Sequence, residues 1–326
     1  MGYDSPEEEN VLYQLKLKDM KTSRRTFLKT GVVALAGAAL LKEEAFALPP
    51  KKKKCIVGLQ LYSVRTDMSK DPLGSLKQVA AMGYTYVEHA NYRDRKFHGW
   101  TATEFRKILD DLGLKMISGH TAFGRQHWDE TKKDFSDSWK WTVEDAAILG
   151  QKYVTSPSMD NSMRKVYDDF MRYMDIFNKC GELCQKSGMK YAYHNHEFEF
   201  SEKLNDKKLF DIMMTTLDPK KVVIQLDIGN LYNGGAIAMD VVKQYPGRFE
   251  NVHAKDEIKT VTEGKERYES CVLGEGIVNA RSVLDTLVKS GGTQVMIIEQ
   301  ESYQGKTPME SVKADLEVMR TWGYKV

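Results

Sequence analysis

Residues 191–196 read Tyr-Ala-Tyr-His-Asn-His, in a chain with only seven histidines. Further on, VVIQLD ends at Asp227, FENVHAKD carries His253 followed by Lys255, and QVMIIEQE carries Glu299 and Glu301. Imidazoles and carboxylates in this mixture suit one divalent ion of the Mn, Zn, Co or Fe kind; Ca²⁺ prefers an all-oxygen cage. The expected ligands are a histidine of the His194/His196 pair with Asp227, His253 and Glu299. Residues two apart on a strand share a face, so both histidines can point inward and spacing leaves the choice open. His194, nearer the strand body, is assigned to the ion, and His196 to substrate.

For these groups to meet, the elements must repeat. From Lys54 onward, eight β-rich runs alternate with amphipathic segments: CIVGLQLY, YTYVEHA, LKMISGH, KYVTSPS, MKYAYHNH, VVIQLDIG, FENVHAKD and QVMIIEQE. The segments between them, among them a long WDETKKDFSDSWKWTVEDAAILG, have apolar residues three and four apart, as helices do. Gly83, Gly113, Gly150, Gly188, Gly247, Gly291 and Gly323 stand where such helices stop. Strands buried on both faces and joined by helices make a parallel sheet with right-handed crossovers. Eight units predict a single (β/α)₈ TIM barrel over residues 55–326. An open doubly wound sheet usually brings a Gly-x-Gly-x-x-Gly turn after its first strand, and none is present.

In such barrels the chemistry lies at the C-terminal strand ends. Five of the seven histidines fall there. Tyr62, Glu88 and His120 at the first three strand ends, with Asn230 after the sixth, are read as substrate contacts. Trp100, Trp128 and Trp139 serve either as platforms on which a substrate stacks or as helix-packing aromatics.

The N-terminal segment is different. Ser23-Arg24-Arg25-Thr26-Phe27-Leu28-Lys29 precedes the apolar run GVVALAGAALL and then Ala45-Phe46-Ala47. A charged start, a short apolar middle and an A-x-A site describe a signal peptide. About a dozen apolar residues fall short of the roughly 20 that span a bilayer, so no stable anchor is expected after cleavage. The twin-arginine spelling resembles the signal for exporting a folded protein, which implies a periplasmic location. Residues 1–47 are thus read as extension and signal, and 48–54 as a basic linker. The chain's net charge of +2 gives no field for nucleic acid. Four cysteines form no C-x-x-C pair; Cys180 and Cys184 share a helix face and either pair or pack.

The spellings YHNHEFEF, QLDIGN, NVHAKD, LGEG and IIEQE, with GLQLYSVR at the first strand, resemble the sugar phosphate isomerase/epimerase group of the xylose-isomerase-like barrel superfamily. The resemblance runs from about Lys54 to Val326. Its D-tagatose 3-epimerase-like members hold one metal by Glu, Asp, His and Glu from the last four strands, the two Glu also moving the proton. Carried over, this implies metal binding by Asp227, His253 and Glu299, with Glu299 as base. Two departures stand out: the first Glu gives way to the His194-Asn195-His196 stretch, and the family's D-x-x-H reads Asp227-Ile228-Gly229-Asn230. Inosose dehydratase-like members also carry histidines at this strand end.

The expected activity is therefore a metal-dependent isomerase/epimerase acting on a keto sugar or a derivative, by proton abstraction beside a carbonyl. His194, His196 or Lys255 supplies the second proton, and Glu275 of the LGEG loop holds substrate hydroxyls. The alternative on the same scaffold is a lyase or hydrolase, acting by dehydration or 3-keto-glycoside cleavage. A nuclease of the endonuclease IV kind would need more ligands and a basic DNA-facing surface; a non-catalytic exported sugar-binding protein would leave Glu299 without a task. The C-terminal run PMESVKADLEVMRTWGY suits packing on its own barrel or in a homo-oligomer.

Overall fold

The computed structural model describes residues 55–326. The signal and linker expected at 1–54 lie outside the described residues.

Eight parallel strands close into a barrel: β1 (Ile56–Gln60), β2 (Tyr86–His89), β3 (Lys115–His120), β4 (Tyr153–Ser156), β5 (Lys190–His194), β6 (Val222–Asp227), β7 (Asn251–Ala254) and β8 (Val295–Ile298). Each pairs with its sequence neighbours, and β8 returns to β1 with Ile56 opposite Val295. Among the described residues, eight helices of seven residues or more cover it: α1 (Pro72–Met82), α2 (Ala102–Asp111), α3 (Asp137–Leu149), α4 (Tyr167–Gln185), α5 (Leu209–Thr216), α6 (Ala238–Gln244), α7 (Ala280–Ser290) and α8 (Pro308–Thr321). The expected (β/α)₈ architecture is the one observed. All seven predicted stop glycines have positive φ, from 70° to 101°, a region that a residue without Cβ enters at little cost.

Period-2 alternation separates two interiors. Outward strand residues such as Val57, Leu59, Leu226 and Ile298 join the helix faces in one large apolar cluster. Inward residues Ile117, Tyr153, Ala192, Val223, Val295 and Ile297 form a smaller plug inside the barrel. Two residues further along, the inward row turns polar: Ala192 leads to His194, Val223 to Gln225 and Asp227, and Ile297 to Glu299. The apolar plug thus floors a polar chamber at the C-terminal end, as the barrel's layering requires.

Local features depart from the simple repeat. The long helix expected from Trp128 is shorter: Trp128–Asp129 pairs with Asp134–Phe135 as a small hairpin, and α3 begins only at Asp137, capped by Ser136. Asp256–Thr262 and Lys265–Cys271 form an unpredicted antiparallel hairpin after β7. It turns at Glu263 and Gly264, both at positive φ, the geometry of a tight hairpin turn. Cys180 and Cys184 are buried free thiols on α4. Among the described residues, no helix is long and apolar enough to cross a membrane.

Candidate functional site

β5 to β8 bring four donors to one place. One ligand atom each from His194, Asp227, His253 and Glu299 lies within 4.8 Å of the others, and all four residues are buried. The hydrogen bonds aim them. His194 Nδ1 is 3.1 Å from Gln225 Oε1, while its Nε2 takes a contact from Asn230 Nδ2 at 3.3 Å. The proton therefore sits on Nδ1, and the Nε2 lone pair faces Asp227 Oδ2 at 3.9 Å. His253 is fixed from the other side: its Nε2 lies 2.6 Å from Glu88 Oε1, and its Nδ1 lies 3.0 Å from Glu299 Oε2.

Asp227 uses one oxygen for the fold, since Oδ1 accepts from the backbone N–H of Gly229 and of Asn230, each at 2.8 Å. Its other oxygen, Oδ2, is buried with no hydrogen-bond partner. Buried carboxylate oxygens are seldom left this way, and a cation satisfies them. Two imidazole nitrogens, this oxygen and Glu299 fit a divalent transition metal. Asn195, between the histidines, extends the β5–β6 ladder: its Oδ1 accepts from Asp227 N at 3.0 Å and its Nδ2 donates to Asp227 O at 3.2 Å.

The charges are mutually dependent. Burial keeps His194 neutral, well below its usual range, as ligation requires. Burial would also depress His253, but Glu299 and Glu88 outweigh it and hold the imidazole up at about 10. Burial pushes Asp227 up to about 6 against the pull of Lys255. Lys255, 1% exposed, stays a cation because Glu299, Asp227 and Glu301 overcome its desolvation. Its Nζ lies 2.9 Å from Asn230 Oδ1, 3.4 Å from Glu299 Oε2 and 3.7 Å from Asp227 Oδ2, and it also pairs with Glu301.

Above the donors opens a cleft of about 910 Å³, lined in part by Tyr62, His120, His194, His196, Asn230 and Glu299. Most residues assigned to substrate are on its wall, but two are not. Glu88 is fully buried beneath it and accepts from Gln60 Nε2 at 2.7 Å, Gln225 Nε2 at 2.8 Å, His120 Nε2 at 3.0 Å and His253 Nε2. Tyr86 packs on the inner plug and Val87 in the outer cluster, so period-2 alternation turns Glu88 into the barrel, while the register shift beside it leaves Ile117 as the extra residue on β3. Glu275 is exposed and outside the cleft lining; its loop is pinned instead by Asp256, which accepts from Gly274 N and Val278 N.

His196 remains on the wall, its backbone N–H bonded to Glu199 Oε2 at 2.8 Å. Trp100, Trp128 and Trp139 do not line the cleft, and Trp139 packs edge-on against Phe123 at 4.9 Å. Trp141, two residues on, does line it and is 42% exposed. The signal was present in the helical phase of α3, where Trp139 and Trp141 fall on different faces.

The chain belongs to the xylose isomerase-like TIM barrel family, whose model matches residues 76–322. An inosose dehydratase of Bacillus licheniformis is 23% identical over 192 residues, 53% of this chain and 63% of that enzyme, so the match spans less than two thirds of the relative's length. A sugar phosphate isomerase/epimerase from Parabacteroides distasonis is similar in structure, with TM-score 0.68 and 26% identity over 81% of this chain and 97% of that one. The barrel of the IOLI protein, solved with a bound zinc atom, is also similar, with TM-score 0.61 and 16% identity over 82% of this chain and 97% of that one. The family is one of isomerases, epimerases and dehydratases.

Proposed function

We propose that the chain is a divalent-metal-dependent isomerase/epimerase-type enzyme that takes a proton from the carbon beside the carbonyl of a keto sugar or sugar derivative. The observation carrying this reading is the convergence of His194 Nε2, Asp227 Oδ2, His253 Nδ1 and Glu299 at the cleft floor, with Asp227 Oδ2 holding no hydrogen bond. The zinc bound in the IOLI protein supports a metal here.

When bound, the ion supplies Lewis acidity toward the carbonyl and neighbouring hydroxyl oxygens. The chain does the rest. Glu299, at the floor and on the cleft wall, is the base for the acidified C–H. Lys255, cationic behind Asn230, Glu299 and Glu301, and His196 on the wall are the groups that return a proton. Asn230 and His120 hold hydroxyls, above the apolar plug that closes the barrel beneath.

One observation favours a second reading, elimination of a β-hydroxyl or glycosidic oxygen after the same proton abstraction. At β5 the donor is the imidazole of His194, and Glu301 is tied to Lys255, so Glu299 is the carboxylate of the donor set that also lines the cleft. A single base with a cationic acid suits elimination better than exchange between two faces. The dehydratase relatives point the same way. We further read the chain as exported, on its twin-arginine-type segment, which favours free or oxidised sugars over phosphorylated ones.

The test is metal content by plasma mass spectrometry in wild type, Asp227→Ala and Glu299→Ala. About one transition metal per chain, lost in both variants, supports the site. Deuterium wash-in beside the carbonyl of a keto-sugar panel then separates epimers from unsaturated products. Absence of stoichiometric metal in the wild type overturns the reading.

A further inference from the structure

The cleft is wider than a single sugar at the donors requires. His194 ends β5, and Asn230 and Glu299 follow β6 and β8, yet the same cavity reaches Tyr92 and Arg95 after β2 and Ser138, Trp141 and Thr142 on α3. In this barrel β2 stands opposite β6 and β3 opposite β7, so the cavity crosses the whole mouth. Its volume of about 910 Å³ is near the top of the roughly 300–1,000 Å³ range of small-molecule sites, more than one hexose ring fills.

The far wall is built and held. Arg95 Cζ lies over the Trp141 ring, 5.4 Å from its centroid. Arg95 is itself fixed: Nη2 and Nε donate to Asp145 Oδ1 at 2.8 Å and Oδ2 at 3.1 Å, and Tyr92 donates its hydroxyl to the same Oδ2 at 2.7 Å. Asp145 is 3% exposed. Asp94 and Arg95 both hold left-handed backbone, at φ 51° and 60°, a conformation that residues with a Cβ rarely adopt and that clusters at functional sites. Trp141 is left 42% exposed to the cavity and solvent. An exposed indole beside a guanidinium and hydroxyls matches a pyranose, whose C–H faces stack on aromatics and whose rim is hydroxylated.

The geometry points to a distal subsite in which Trp141 stacks a second pyranose ring, glycosidically linked to the ring at the donors, with Arg95 on the ring's rim and Asp145 as positioning residue. The substrate class is then a keto sugar carrying a second ring. This rests on the proposed function only for which end carries the chemistry.

The test labels the protein with 5-fluorotryptophan, which gives one ¹⁹F signal for each of the five tryptophans, with Trp141 assigned by its loss in Trp141→Phe. D-fructose and the keto disaccharide isomaltulose are titrated into metal-loaded and chelated protein. Isomaltulose is expected to move the Trp141 signal and to bind about tenfold tighter than fructose, a gain typical of one aromatic stack. Trp141→Ala is expected to abolish that advantage while leaving fructose affinity unchanged, and Trp141→Phe to retain most of it. A Trp141 signal silent to isomaltulose, equal affinity for both sugars, or a Trp141→Ala loss shared by both overturns the subsite. If the metal reading alone is wrong, the Trp141 response is the same in loaded and chelated protein.

Discussion

Glu88 Oε1 stands 2.6 Å from His253 Nε2, so that the other nitrogen of the imidazole faces Glu299 and Asp227. A carboxylate behind a ligating histidine fixes its tautomer and raises its basicity, and losing it costs about 10–100-fold in metal affinity. Four donors converge on Glu88, so Glu88→Gln replaces an acceptor by an NH₂ group that has no acceptor to meet. Competition with a chelator should show metal affinity lower by about that factor with the barrel's circular dichroism retained. Unchanged affinity would remove Glu88 from the site's support.

Lys255 is the buried cation among Asp227, Glu299 and Glu301. Removing one partner from a buried ionic group costs about 3–5 kcal/mol, because the charges left behind are uncompensated. Lys255→Met should melt below wild type without metal, and Mn²⁺ should raise its melting temperature by more than it raises that of wild type. Equal metal-induced shifts would mean that Lys255 and the ion do not share those carboxylates.

Gly119 on β3 leaves room for His89. A Cβ there would lie 1.9 Å from His89 Nε2, and His89 cannot retreat because it meets Phe97 edge-on at 4.8 Å. Gly119→Ala should cost about 1–3 kcal/mol by overpacking, or roughly 2–4 °C per kcal/mol in a domain of this size. Thermal melts check it, and an unchanged midpoint would show the ring to be free to move.

Asp315 on α8 is buried, accepting from Leu273 N at 2.8 Å. Burial first, then Glu275 and Asp256, raise its carboxyl to about 8, against about 3.9 in an unfolded chain. The folded protein therefore holds a proton that the unfolded chain releases. Stability from this group is full below about pH 4 and is lost as pH rises toward about 8, by at most about 1.4 kcal/mol per pH unit. Asp315→Asn keeps a carbonyl for Leu273 N, so urea titrations should show its gain over wild type growing from pH 5 to pH 8. A constant difference across that range would contradict the raised pKa.

What could be read along the chain was what short-range physics sets. Apolar periods of two and of about 3.6, with glycines where helices end, are local signals, and they led to eight strands and a closed barrel. Asp227, His253 and Glu299 were legible because strand ends in such a barrel face one mouth. Other features needed partners distant in sequence. His194 became the inward donor because β5 ends there, while Asn195 pairs with the backbone of Asp227 and His196 is tied to Glu199. Glu88 went from a contact on the wall to a support beneath it because Gln60, His120, Gln225 and His253, from four other strands, close over its carboxylate. Trp141 reached the cleft, and Trp139 the core, through the packing of one helix against its neighbours. The sequence by itself determined the barrel and the kinds of atom at its mouth; the tertiary structure decided which of them touch, because convergence depends on register and closure across more than two hundred residues of separation, as between Gln300 N and Ser63 Oγ, 237 positions apart.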